Sequence, residues 1–149
     1  MRLYLAGPLF TQAERAWNRD LAAALRRDGH DVFLPQDEVK NLDALDADAI
    51  FRLDVAGVRD AEAVVAVLDG ADADSGTCFE CGLAFALGIP IVAVRTDFRG
   101  GGDALPNQRL ATVNLMLSQA ASAVVHLPDP AADASAVAAA ILSALSGLV

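Results

Sequence analysis

An α/β fold, a doubly wound parallel sheet with helices on both faces, is what this sequence predicts, and three observations predict it. Short apolar runs alternate with segments of helical periodicity from one end of the chain to the other. One central run, Ala63-Val-Val-Ala-Val-Leu68, is apolar throughout, as strands covered on both faces are. The 149 residues are 54% hydrophobic, enough for one sizeable core, and the length fits one domain better than two. A single domain over residues 1–149 is therefore expected.

The elements follow in order. Leu3-Tyr-Leu-Ala6 reads as a buried strand ended by the turn Gly7-Pro8. Residues from about 11 to 27 place Ala13, Trp17, Leu21 and Leu25 on one helical face, and Gly29 stops that helix. Asp31-Val-Phe-Leu-Pro35 is a second strand, followed by a polar loop, Gln36-Asp-Glu38. Residues from about 44 to 58 carry Ile50, Leu53, Val55 and Val58 at helical spacing. The third strand, Ala63 to Leu68, leads into the carboxylate-rich loop Asp69-Gly-Ala-Asp-Ala-Asp74. A helix from about Gly76 to Leu87 stops at Gly88, and Ile89-Pro-Ile-Val-Ala-Val94 is the fourth strand. A long polar loop from Arg95 to Pro106 contains Gly100 to Gly102, which reads as a surface loop or as a mobile lid. Residues from about 109 to 120 read as helix, Ala123-Val-Val-His-Leu127 as the fifth strand, and Ala131 to Leu148 as a closing Ala-rich helix. Strands separated by helices pair in parallel through right-handed crossovers. Five of them suggest a flavodoxin-like sheet of order 2-1-3-4-5, with ligands bound beyond the carboxyl ends of the strands.

Bulk properties exclude several function classes. The net charge is −9, from 20 acidic and 11 basic residues with no basic stripe, which argues against nucleic acid as a partner. No apolar run approaches the roughly 20 residues of a membrane span. The opening apolar run is short and is broken by Gly7-Pro8, unlike a signal peptide, so the expected location is cytoplasmic. Neither GxGxxG nor GxxxxGK[ST] is present, which removes the usual support for dinucleotide or P-loop binding. Cys78 and Cys81 form a CxxC pair, but the two histidines, His30 and His126, lie in no ligand-like cluster. We read the thiols as packing groups, ahead of a redox pair and of zinc.

Carboxylates carry the chemical signal. Asp69, Asp72, Asp74 and Glu80 all lie in or just beyond the loop after the third strand. Two carboxyl groups across a bond to an anomeric carbon can act as nucleophile and acid. Spacing alone also offers a structural role. Thr77-Cys-Phe-Glu80 matches the S/T-x-x-E capping box, and Asp72 and Asp74 suit a solvated acidic turn. Arg95 and Arg99, after the fourth strand, are expected to pair with this acidic loop.

Four segments bear on the choice: Leu3-Tyr-Leu-Ala-Gly-Pro-Leu-Phe10; Asp54 ahead of Asp60-Ala61; Asp74-Ser-Gly-Thr-Cys-Phe-Glu-Cys-Gly-Leu-Ala84; and Val113-Asn-Leu-Met116. Together they resemble the nucleoside 2-deoxyribosyltransferase family over roughly residues 2 to 117. The third matches the family signature D-x-G-x-x-x-E-x-G-x-A, with Asp74, Gly76, Glu80, Gly82 and Ala84 at its fixed positions. The resemblance implies an enzyme in which Glu80 attacks the anomeric carbon of a 2′-deoxynucleoside and Tyr4 orients that carboxylate. It implies that Asp54 and Asp74 contact the base, one of them exchanging a proton with it. Gly7, Phe10, Gln36 and Gly76 would line the substrate site. Asn114 and Met116 would complete the site of a neighbouring subunit in a homo-oligomer, a dimer or larger. The sugar would pass to a second free nucleobase, or to water, with no metal and no organic cofactor.

Three other readings stand beside this one. A 2′-deoxynucleoside 5′-monophosphate N-hydrolase would need a phosphate pocket, and Gly7-Pro-Leu-Phe-Thr-Gln12 has one hydroxyl and no basic residue before Arg15. A non-catalytic nucleotide-sensing module would keep its function without Glu80. A CxxC redox protein would depend on a reversible disulfide.

Overall fold

The computed structural model describes residues 1–42, 46–98 and 112–148. Five strands, β1 (Arg2–Ala6), β2 (Asp31–Phe33), β3 (Ala63–Val67), β4 (Ile91–Arg95) and β5 (Ala123–His126), pair in parallel in the order β2-β1-β3-β4-β5. Among the described residues six α-helices connect or flank them: α1 (Gln12–Arg27), α2 (Pro35–Glu38), α3 (Ala47–Asp60), α4 (Ser75–Ala86), α5 (Leu115–Ala120) and α6 (Ala134–Ser146). The fold and strand order are those expected from the sequence. Among the described residues no helix is long and apolar enough to cross a membrane.

Alternation along each strand divides the core in two. Leu3, Leu5, Val65, Val67, Val92 and Val94 face α1 and α6, with Leu21, Leu25, Val137 and Ile141 opposite them. Tyr4, Ala6, Val64, Ala66, Ile91 and Ala93 belong to the second layer, with Val58 of α3 and Cys81 and Ala84 of α4. Alanines at three of these strand positions leave room on that side, and the one large polar-tipped residue among them is Tyr4.

Helix boundaries follow local chemistry. Thr11 and Glu14 form a reciprocal capping box at the start of α1 that our reading missed: Glu14 N–H donates to Thr11 Oγ1 at 3.2 Å, and Thr11 N–H to Glu14 Oε2 at 2.7 Å. Gly29 (φ +86°) and Gly88 (φ +71°) end α1 and α4 in the left-handed region, as helix stops should. Several expectations shift. The fourth strand spans Ile91–Arg95 rather than Ile89–Val94. The second strand stops at Phe33 rather than Pro35, because Pro35 occupies the first turn of α2 and its fixed φ suits a helix start. Gln36 to Glu38 are therefore helical rather than loop. The helix expected from about 109 starts, within the described residues, at Leu115 behind its cap Asn114. The last helix starts at Ala134, where Asp133 caps it, not at Ala131. The glycines at 100–102 and Arg99 lie outside the described residues.

Candidate active site

The carboxyl ends of β1 and β3 and the start of α4 meet around Glu80. Tyr4 is the third residue of β1, and strand alternation turns its side chain toward α4. Its hydroxyl donates to Glu80 Oε1 at 2.6 Å. The Tyr4 ring is fully buried and stacks on Phe33, with centroids 5.2 Å apart and planes 16° from parallel.

Glu80 is not a capping residue. Asp74 caps α4: its Oδ2 accepts from Thr77 N at 2.9 Å and from Thr77 Oγ1 at 3.2 Å. Thr77 thus lies inside the helix, and the Thr77-x-x-Glu80 spacing falls one turn too late to form a capping box. The carboxylate three residues ahead of Thr77 took the position. Asp74 is accordingly a helix cap rather than a solvated turn residue.

Asp54, on α3, faces the same space. Its Oδ1 is buried with no hydrogen-bond partner among the described residues. Burial raises its pKa to about 6. Burial likewise raises Glu80, to about 7; the Tyr4 hydrogen bond pulls it down, while the charges of Asp54 and Asp74 push it up. Tyr4 is raised above its ordinary value, by burial first and then by Glu80, so its hydroxyl stays a donor. A protonated phenol, the carboxyl group that it orients and a second carboxyl group, both carboxyls raised toward neutrality, therefore meet in one place.

A cleft of about 340 Å³ opens over them, lined by Gly7, Phe10, Gln36, Asp54, Asp74, Gly76 and Glu80 among others. It is built by close approach at the β1 turn. A Cβ on Gly7 would lie 3.3 Å from Val67 Cβ and 3.5 Å from Asn18 Oδ1. Buried Asn18 holds that turn by donating to Pro8 O at 2.9 Å, and Glu14 accepts from Phe10 N at 2.9 Å. Both supports went unnoticed in the sequence. Gln36 is buried and donates through Nε2 to Arg15 O at 2.9 Å. A second cavity, about 250 Å³, shares Asp54, Gly76 and Glu80 and is edged by the Phe51–Phe79 pair.

Asn114 and Met116 are not in this cleft. They border another cavity, about 550 Å³, against the Cys78, Cys81 and Phe85 face of α4. Asn114 Oδ1 accepts from Met116 N at 2.9 Å and caps α5, and Met116 is 75% exposed. Cys78 and Cys81 are free, and burial raises both thiols, Cys81 to about 12, so neither favours the thiolate.

The loop carrying Asp74 is anchored from β4. Buried Arg95 donates to Leu68 O at 3.0 Å and Gly70 O at 2.9 Å and pairs with Asp97 at 2.9 Å. Asp69 accepts from Thr96 N and Thr96 Oγ1, both at 2.6 Å. Arg95 thus meets the acidic loop at the Gly70 carbonyl, as expected, and also bonds Leu68 O and Asp97.

The family model for nucleoside 2-deoxyribosyltransferase matches residues 3–116. No curated protein matches the chain in sequence. Among solved structures, a conserved protein from Enterococcus faecalis V583 is 28% identical with a TM-score of 0.74, covering 100% of this chain and 99% of its own. The 2-deoxyribosyltransferase from Leishmania mexicana shares 23% identity (TM-score 0.68, 99% of both chains). That from Bacillus psychrosaccharolyticus shares 22% (TM-score 0.66, 83% of this chain and 85% of its own). These last two show the shared fold.

Proposed function

Because the chain belongs to the nucleoside 2-deoxyribosyltransferase family, we propose that it cleaves the N-glycosidic bond of 2′-deoxynucleosides through a deoxyribosyl ester on Glu80 and passes the sugar to another purine or pyrimidine base, or to water. The observation that carries this reading is the 2.6 Å bond from Tyr4 to Glu80 beside Asp54, whose Oδ1 has no partner among the described residues.

In the first half-reaction a Glu80 oxygen bonds to C1′ while the C1′–N bond breaks, and the leaving base takes the proton of Asp54. In the second, a nitrogen of the incoming base, or a water oxygen, attacks C1′; the ester bond breaks, Glu80 leaves as carboxylate, and the attacker's proton returns to Asp54. Two displacements at one carbon retain its configuration. Asp54 suits the proton better than Asp74 does. Asp74 is occupied by two donors at the head of α4, whereas Asp54 Oδ1 has none among the described residues. Asp54 and Glu80 titrate as a pair. Between their two steps the site holds one proton, and the Tyr4 hydrogen bond, by lowering Glu80, raises the share of molecules in which that proton lies on Asp54 and Glu80 is ionised, the form that reacts.

Among the described residues lining the cleft there are three carboxyl groups and no Lys or Arg, which supports a neutral nucleoside over a 5′-monophosphate. Gln36, Phe10 and Gly7 line the same cleft, which supports their assignment to the base and sugar. Asn114 and Met116, exposed and outside their own cleft, fit a contribution to the site of an adjacent copy.

The deciding experiment incubates the protein with a deoxynucleoside, with and without a second free base, and identifies the products. A new nucleoside establishes transfer and free deoxyribose hydrolysis. Normal turnover by Glu80→Ala would refute the reading. Preference for the 5′-monophosphate would move the activity to nucleotide hydrolysis.

A further inference from the structure

We infer that Phe33 and Gly57 are positioning residues for the reaction: the Phe33 ring, seated on the bare Cα of Gly57, sets the plane of Tyr4 and so the line along which its phenol meets Glu80. This rests on the role just proposed for Glu80.

Three observations carry it. Phe33 and Tyr4 are register partners on adjacent parallel strands, which puts their side chains on one face. Their rings lie nearly parallel, 16° apart at 5.2 Å. Gly57 is buried in α3, and a Cβ there would come within 2.8 Å of Phe33 Cε1 and Cζ and 3.0 Å of Cδ1. Any side chain at position 57 therefore displaces the ring. Helical geometry makes no demand for glycine at that position, and the contact with Phe33 does. The sequence Gly57, Phe33, Tyr4, Glu80 is continuous from α3 through β2 and β1 to α4.

The test is a double-mutant cycle, reading kcat and KM on a deoxynucleoside with Phe33→Leu alone, Tyr4→Phe alone and both together. Phe33→Leu should lower kcat about tenfold with KM within about twofold, because it misaligns a contact that matters to the nucleophile. It should also move the acidic limb of the kcat profile to higher pH, since the phenol's hydrogen bond holds Glu80 down against Asp54 and Asp74. Added to Tyr4→Phe, it should cost less than about twofold more. An equal factor in both backgrounds means simple packing and overturns the inference, as does an unchanged kcat in folded Phe33→Leu protein. Gly57→Ala, a smaller change, is read in the same cycle should Phe33→Leu fail to fold. Glu80→Ala run alongside separates the two claims: if it turns over normally, the proposed function fails, whatever the cycle gives.

Discussion

The Tyr4 hydroxyl and the Glu80 carboxylate meet at 2.6 Å across 76 positions of sequence, the phenol donating from a strand and the carboxylate accepting from a helix. A hydrogen bond to a charged group is worth roughly 1.5–3 kcal/mol. Tyr4→Phe should therefore lower kcat by about tenfold to a hundredfold. Glu80→Gln should remove covalent turnover altogether while nucleoside binding survives. Steady-state kinetics and equilibrium binding on both variants check this. Unchanged kcat in Tyr4→Phe would mean that the bond does not orient the nucleophile.

The pH dependence follows from which group must hold the proton. As pH falls, Glu80 becomes neutral and cannot attack. As pH rises, Asp54 ionises and cannot protonate the base. With the pair centred at about 6 and about 7, kcat/KM should be a narrow bell with its maximum between those values. A rate flat from pH 5 to 9 would contradict the assignment.

The same burial costs stability. Glu80 is raised in the folded protein from its ordinary 4.5 to about 7. Over that interval the folded state binds more proton than the unfolded chain does, so stability falls as pH rises. Glu80→Gln should accordingly raise Tm at pH 8, and the gain should shrink toward pH 5. Thermal melts at both pH values check the sign.

Asp54 and Asp74 should separate by phenotype. Asp74→Ala removes the α4 cap and should cost about 1 kcal/mol, a Tm drop of roughly 2–4 °C. Asp74→Asn keeps a capping oxygen and should restore most of that. Asp54→Asn should leave Tm nearly unchanged or higher, yet depress kcat more than Asp74→Asn does. The reverse order of kcat losses would shift the acid role to Asp74.

Asn114 offers a test of assembly. If it serves an adjacent copy, co-expression of Glu80→Ala and Asn114→Ala chains should form hybrids with one whole site, recovering about a quarter of the activity of a native dimer. Activity no greater than the average of the two parents would place Asn114 outside any shared site.

Much of the architecture was legible in the chain because its signals are local. Apolar runs, helical periodicity and the stops at Gly29 and Gly88 located all five strands and the main helices. Boundaries moved where one residue outranked a pattern: Pro35 started a helix that the strand reading ran into, and Asp133 delayed one. Glu80 shows the limit most clearly. Its spacing from Thr77 copies that of Glu14 from Thr11, yet only the latter pair forms a capping box.

What the sequence determined by itself was the alternation that puts Tyr4 on one face of β1, and the element order that brings strand ends together. Only the tertiary structure decided which carboxylates share that space and in what state. Asp54 and Asp74 are both acidic side chains near helix residues in sequence. Folding leaves an oxygen of the first buried without a partner among the described residues, and gives the second two donors at a helix start. Burial and hydrogen bonding, which set proton affinity, depend on neighbours that are distant in the chain.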